Sequence, residues 1–356
     1  MKEKFSSVSA TLIGALAIFI LCAAMDNPRF AATETNYRQL TRRTLGGEGF
    51  WDYLAIDSGA RRLYISRWSH VMVVDADSYL LVGDIPEIRG VHGIAIAPEY
   101  GKGFITEEEA NRITIFDLRT LQKTGAARTG NGPDATIYDP TSERVFVFSA
   151  DGKVTAIDAA TGAEAGSADL GGSPEFAASD GHGHIYNNLE DKNLVLQIDA
   201  KTLRILNRWP LAPGESPSGM AIDTVHHRLF IGCRNQTLVV MNADSGKVVA
   251  TIPIGDGVDA NRFDPGTQTI FSSNGDGTLT LVHEDSANAY SVIANVRTQR
   301  GARTMELDAK THRVYLVSAQ LGRQPTTPRT PPPMVPGTFQ LLVYGTGLNA
   351  QASPRQ

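Results

Sequence analysis

The sequence predicts an all-β fold, a seven-bladed β-propeller of four-stranded antiparallel blades. A motif recurs every 40 to 44 residues, which is the period of architectures built from repeated supersecondary units. Within each repeat, short runs of β-branched and aromatic residues alternate with turn residues, a pattern typical of strands rather than helices. A ring of small sheets also accommodates a chain of 356 residues in one domain.

Each repeat can be aligned on the residue that opens its first strand. Five positions later, six of the seven repeats carry Asp, and Ala97 is the exception. Twelve positions into the repeat, six carry Tyr or Phe, and the fourth carries Tyr186 one position early. The opening residues are Asp52, His92, Asp134, Glu175, Ser218, Asp259 and Arg303.

The two ends of the chain are expected to meet in one blade. The seventh repeat has three strand patterns, near residues 304–308, 313–318 and 338–344, and no fourth. The segment Tyr37–Leu45 precedes the first repeat as an additional strand. We expect this strand to complete the last blade, which closes the ring and leaves no open sheet edge.

Two segments show the repeat most clearly. Val248–Gly255 reads VVATIPIG, and Asp158–Gly162 reads DAATG. With these features the chain resembles the YVTN/YncE-like family of exported bacterial proteins over about residues 36–345. The resemblance implies a seven-bladed, WD40-like repeat fold and an exported protein, and it implies no single activity.

The first 32 residues have the pattern of a signal peptide, with cleavage near residues 24–32. Lys2 and Lys4 precede the apolar run Thr11–Ala24, which is too short to span a bilayer. We therefore expect a periplasmic or secreted protein without a transmembrane segment in the mature chain. It would consist of one propeller domain, residues 36–345, and a disordered tail, residues 346–356.

The charge balance disfavours nucleic acid as a partner. The chain has 33 basic and 38 acidic residues and a net charge of −5, so phosphate backbones are not attracted to it. We expect a monomer that binds a small molecule or an envelope protein.

The first strands of propeller blades line the central axis, so the opening residues should surround the mouth of the channel. Six of these seven residues are ionisable. Ion pairing of Arg303 with its acidic neighbours, on a wet rim without a ligand, would explain the charges equally well. The alternative is a ligand-binding site that consists of Asp52, His92, Asp134, Glu175, Ser218, Asp259, Arg303 and the hairpin residue Trp68.

Four of these residues, Asp52, His92, Asp134 and Glu175, come from consecutive blades and could hold a divalent cation. Carboxylates and an imidazole suit Ca²⁺, Mg²⁺, Mn²⁺ or Zn²⁺. The protein would then be a metal-dependent hydrolase, lactonase or lyase, in which His92 or Glu175 moves a proton. A binding or scaffold protein without catalysis requires nothing that the sequence lacks, and it ranks first.

Two further groups lie outside this pattern. The proline-rich connection Gln324–Pro336 could cover the mouth, bind a partner or have no function. His226, His227 and His283 are predicted to be surface residues in turns on the blades.

Overall fold

A computed structural model describes residues 36–323 and 333–347 of the chain. The predicted signal peptide, most of the proline-rich connection (residues 324–332) and residues 348–356 of the predicted tail lie outside these described residues. The described part forms seven four-stranded antiparallel sheets, which confirms the predicted all-β propeller. It contains no helix with the length and apolar character that crossing a membrane requires.

The blades follow each other along the chain, and the four strands of each blade are named A to D in chain order. The A strands of neighbouring blades contact one another around the axis. The strands of the first three blades are β2 Leu54–Asp57, β3 Arg62–Ser66, β4 Val71–Asp75 and β5 Leu81–Ile85; β6 Val91–Ala97, β7 Lys102–Glu107, β8 Arg112–Asp117 and β9 Lys123–Arg128; and β10 Pro133–Asp139, β11 Arg144–Ser149, β12 Lys153–Asp158 and β13 Glu164–Asp169.

The next three blades have the same order. Their strands are β14 Pro174–Ser179, β15 His184–Leu189, β16 Leu194–Asp199 and β17 Ile205–Pro210; β18 Pro217–Asp223, β19 Arg228–Cys233, β20 Thr237–Asn242 and β21 Val248–Pro253; and β22 Val258–Asp264, β23 Thr269–Asn274, β24 Thr278–Ser286 and β25 Ala289–Arg297. The described helices are short 3₁₀ turns at Pro98–Tyr100, Glu108–Ala110 and Glu190–Lys192.

The seventh blade joins the two ends of the chain, as the sequence predicts. It consists of β26 Met305–Asp308, β27 Arg313–Ser318, β28 Gln340–Thr346 and, as its outer strand, β1 Tyr37–Thr44. Strand β1 pairs antiparallel with β28, so that Tyr37 faces Thr346 and Thr44 faces Gln340.

The B and C strands are apolar on both faces because every blade packs between two neighbours. The aromatic residues that recur in the repeats are all buried, and each contributes about 1.5–3 kcal/mol by leaving water. They are Tyr64, Phe104, Phe146, Tyr186, Phe230, Phe271 and Tyr315.

The acids in the hairpins between strands C and D are structural. Asp75 accepts a hydrogen bond from the backbone N–H of Ser78 at 2.7 Å. The equivalent Asp accepts the same bond in the next three blades, and Asn242 does so in blade five. The prediction of a turn at His283 is wrong. Blade six pairs its C and D strands out to Ser286 and Ala289, so that His283 lies within β24.

Candidate ligand site at the channel mouth

Bulges at the start of the A strands place the opening residues of blades two to six at the mouth. In blade three, Pro133 pairs with Ser149 and Thr136 pairs with Val147, so that Asp134 and the next residue together face a single residue of strand B. Such an extra residue bends the strand and redirects its side chains. Pairing shifts at the same place in blades two, four, five and six. The bulged strands thus present successive side chains to the channel.

Buried polar residues of strand B connect the bulges of blades three and five to the preceding blade. The Thr106 hydroxyl donates to the backbone oxygen of Asp134 at 2.9 Å, and the Asn188 amide donates to that of Ser218 at 2.8 Å. These positioning residues were not predicted from the sequence. Their signal is a polar side chain near the end of an otherwise apolar strand, because a buried polar group requires a partner.

His92 lies among three carboxylates. Its Nδ1 is 2.7 Å from Asp52 Oδ2 and 3.4 Å from Asp134 Oδ1, and its Nε2 is 3.2 Å from Glu108 Oε2. Burial lowers the pKa of His92, but the hydrogen bond to Asp52 and the charges of Asp134 and Asp52 outweigh burial and raise this pKa to about 9. At neutral pH, an imidazolium therefore supplies the positive charge for this part of the mouth.

Glu175, farther along the ring, lacks such an ion pair. Burial and the charges of Asp134 and Glu190 raise the pKa of Glu175 to about 9. Burial and the charge of Asp52 raise the pKa of Asp134 to about 7, although the charge of His92 opposes them. Glu190 has its own ion pair, 3.1 Å from Arg234. Within the described chain, no basic group forms an ion pair with Glu175. Glu175 is therefore a half-buried mouth acid without an ion pair in the described chain.

Ser218, Asp259 and Arg303 form the remaining part of the ring. Arg303 Nε lies 3.6 Å from Asp259 Oδ2, which is the ion pair expected for a rim without a ligand. Ser218 Oγ lies 3.4 Å from Asp259 Oδ1. Burial raises the pKa of Asp259, and the charge of Arg303 opposes this effect. The charge of Asp259 is thus balanced by Arg303, and its carboxylate also contacts the Ser218 hydroxyl.

Aromatic side chains line one side of the mouth. Trp68 is 39% exposed, and its ring meets that of His92 edge to face with centroids 5.6 Å apart. Phe50, which the sequence analysis missed, is 48% exposed. The two residues border a cavity of about 410 Å³, which is also lined by Trp51, Asp52, Val91, His92 and Arg303.

An aromatic layer forms the floor of the mouth. The rings of Tyr53 and Phe176 lie with centroids 4.7 Å apart, and the Arg262 guanidinium lies 5.6 Å from the Phe176 ring. Below them, the A strands of all seven blades enclose a cavity of about 430 Å³. Tyr53 and Phe176 directly follow Asp52 and Glu175 in the sequence, so the floor lies one residue below the charged ring.

Of the four predicted metal ligands, the structure groups three. One donor atom from each of Asp52, His92 and Asp134 lies within 4.8 Å of the other two. Glu175 lies outside this group and contacts Glu190 instead. A divalent ion at the three ligands would have to displace the proton of His92, because a metal binds neutral imidazole.

Comparison with known proteins supports the fold alone. No family model matches the chain, and no curated relative matches it either. Many chains in solved structures match. One of them belongs to the structure described as "Crystal Structure of Mitotic Checkpoint Complex", with a TM-score of 0.70, 13% sequence identity, and coverage of 96% of this chain and 98% of that chain. The chain thus shares its overall fold with this solved structure.

Proposed function

We propose that this protein is a binding protein that captures a small organic cation at the channel mouth. One observation carries the proposal: Glu175 is a half-buried carboxyl group that faces other acids and forms no ion pair in the described chain. An ammonium or amidinium group beside Glu175 would stabilise the ionised form of this carboxyl group. A lysine or arginine side chain of an envelope protein would offer the same chemistry.

The aromatic rim defines the rest of the ligand. Trp68 and Phe50 are exposed beside the acidic ring, and an aromatic face binds both apolar groups and cations. We therefore expect a ligand with a cationic head and a short apolar part. The cavity of about 410 Å³ beside these rings, which is lined by Asp52, His92 and Arg303 and not by Glu175, has the size of a small-molecule site and would hold the apolar part.

Binding should be linked to proton release. The raised pKa of Glu175, about 9, leaves this carboxyl group protonated at neutral pH, and a bound cation would favour its ionised form. The ligand therefore displaces about one proton, and its affinity should rise with pH between 6 and 9. A ligand bound by apolar contacts alone would release none.

The test is calorimetric titration of the mature protein with butylamine, 1,4-diaminobutane and agmatine. Butanol and butyrate serve as neutral and anionic controls. Two buffers with different ionisation heats report the number of protons released. We expect Glu175→Gln to weaken amine binding at least about tenfold, whereas Glu164→Gln, on the exposed outer strand of blade three, should have no effect. Equal binding of amine and alcohol, or full affinity in Glu175→Gln, would refute the proposal.

A divalent cation at Asp52, His92 and Asp134 is a second candidate, favoured by the short distances among their donor atoms. The site would then support a metal-dependent hydrolase, lactonase or lyase, in which the metal would polarise a carbonyl group. Metal analysis of natively purified protein tests this candidate. A bound ion that is lost in Asp134→Ala would support it, and a metal-free preparation that Ca²⁺, Mn²⁺ and Zn²⁺ do not stabilise would remove it.

We also propose that the protein is exported and related to the YVTN/YncE-like propellers. The basic and apolar pattern of residues 1–32 and the repeat motifs support this assignment, and the propeller fold agrees with it. N-terminal sequencing of protein recovered from the periplasm or medium provides the test. A start between residues 25 and 33 is expected, and cytoplasmic protein that retains the first residues would contradict export.

A further inference from the structure

A second group of ionisable residues lies between blades five and six, at the end of the blades opposite the mouth. Asp223 ends β18, His226 lies in the turn that follows, and Glu284 lies near the end of β24. His226 Nδ1 is 2.8 Å from Asp223 Oδ2 and 3.5 Å from Glu284 Oε1. One donor atom from each residue lies within 4.8 Å of the other two.

Glu284 occupies a position that is apolar in the other complete blades. Its backbone N–H donates to Gln268 O at 2.8 Å, as that of Ala243 donates to His227 O at 2.9 Å in blade five. The repeat therefore places Glu284 in the same buried position below the hairpin. The equivalent residues are Ala76, Leu118, Ala159, Ala200 and Ala243, all buried.

The Glu284 carboxyl group is not satisfied by the described chain. The residue is 3% exposed, and although its Oε1 accepts a hydrogen bond from the Tyr290 hydroxyl at 3.3 Å, its Oε2 is shielded from solvent and has no hydrogen-bond partner. The Asp223 carboxyl group beside it is also buried. The half-exposed imidazole of His226 is the one basic group that pairs with these two buried carboxyl groups in the described chain. Two buried carboxyl groups that share one imidazole are costly, so the arrangement favours a further positive charge.

We infer that Asp223, His226 and Glu284 bind a divalent transition-metal ion, with Zn²⁺ as the best match. Two carboxylates and one imidazole are donors that Zn²⁺ accepts, and three protein ligands leave a position for water. His226 is on the solvent side, with 39% of its side chain exposed. The ion would reach the site from solvent beside this residue. The ion would join the turn of blade five to the hairpin of blade six, separately from the mouth.

The test is titration of the mature, EDTA-dialysed protein with ZnCl₂, followed by calorimetry and by thermal unfolding. Wild-type protein should bind one Zn²⁺ at this site and unfold at least about 3 °C higher when Zn²⁺ is in excess. Glu284→Ala introduces the residue that four other blades carry here, so the fold should tolerate it. We expect this variant and His226→Ala to bind Zn²⁺ at least tenfold more weakly and to lose the thermal shift.

Two controls separate this site from its surroundings. His227→Ala removes the adjacent histidine, whose Nδ1 lies 2.9 Å from Asp244, and should leave Zn²⁺ binding unchanged. Asp134→Asn alters the mouth and should also leave this site intact. Unchanged Zn²⁺ affinity in Glu284→Ala would overturn the inference. Absence of Zn²⁺ binding in wild type, with higher stability of Glu284→Ala, would show that Asp223 and Glu284 form a strained carboxyl pair instead.

Discussion

The rings of Tyr53 and Phe176 lie 4.7 Å apart between centroids, although the two residues belong to the first and fourth blades. Arg262 approaches the Phe176 ring from blade six and forms two hydrogen bonds with Glu306 of blade seven, at 2.8 and 3.0 Å. Four blades thus contribute side chains to one layer beneath the acidic ring. This layer positions the backbone of Asp52 and Glu175, the residues that directly precede the two rings.

The ion pair in this layer should contribute to stability. Glu306→Gln would leave the Arg262 guanidinium, 21% exposed, without its counter-charge, and we expect a loss of about 2 kcal/mol in the free energy of unfolding. Urea unfolding measures this loss. The double variant Arg262→Met with Glu306→Leu removes both charges and should be more stable than Glu306→Gln. A single variant within about 0.5 kcal/mol of wild type would contradict this assignment.

His92 should stabilise the fold at low and neutral pH. Its pKa is about 9 in the folded protein and about 6.5 in an unfolded chain. The stabilisation is therefore fully present below pH 6.5 and is lost as the pH rises through 9. Relative to wild type, His92→Asn should lose about 2 kcal/mol at pH 6 and much less at pH 10. Urea unfolding across this range tests the prediction, and His182→Asn, in an exposed turn, is the control. A constant difference would exclude His92 as the titrating group.

Glu175 should destabilise the fold at high pH, where Glu175→Gln should be more stable than wild type. Its pKa rises from about 4.5 unfolded to about 9 folded, so the folded state retains a proton that the unfolded state has lost. Wild-type stability should therefore fall relative to Glu175→Gln as the pH rises from 4.5 to 9. The difference should reach about 1–2 kcal/mol at pH 8, reduced by the solvent at the mouth. Parallel stability curves would show that Glu175 ionises normally.

The fold could be read from the sequence because each blade is a local unit. The regular spacing of buried aromatic residues, such as Tyr64 and Phe104, and of hairpin acids such as Asp75 follows from contacts within one repeat or with the next. Closure by β1 followed from counting strands. The longer hairpin of blade six, which contains His283, was not predicted. Its length depends on pairing between β24 and β25, and no short motif indicates this pairing.

The site could be predicted only in part. Repeat register fixes the height of a residue on its blade, so Asp52 and His92 were correctly expected at one mouth. Register does not fix distances across the ring, which depend on bulges and side-chain directions. Glu190 was missed as the neighbour of Glu175 for this reason. The contact of Asp223 with Glu284 was not predicted either, because it forms between blades. The replacement of a recurring Ala by Glu was nevertheless visible in the repeats.

The strand that closes the ring should be essential, whereas the residues before it should not. A chain that starts at residue 36 retains β1 and should unfold cooperatively at the same temperature as the mature protein. A chain that starts at residue 46 lacks β1, exposes the edge of β28, and loses the contact of Tyr37 with Phe271, whose ring centroids are 5.3 Å apart. We expect this chain to aggregate or to unfold at much lower temperature, because an unpaired edge strand recruits other chains. Thermal unfolding and size-exclusion chromatography measure both effects, and a peptide of residues 36–45 should restore the shorter chain in part. A cooperative transition at the original temperature without β1 would show that six complete blades and a three-stranded seventh are sufficient.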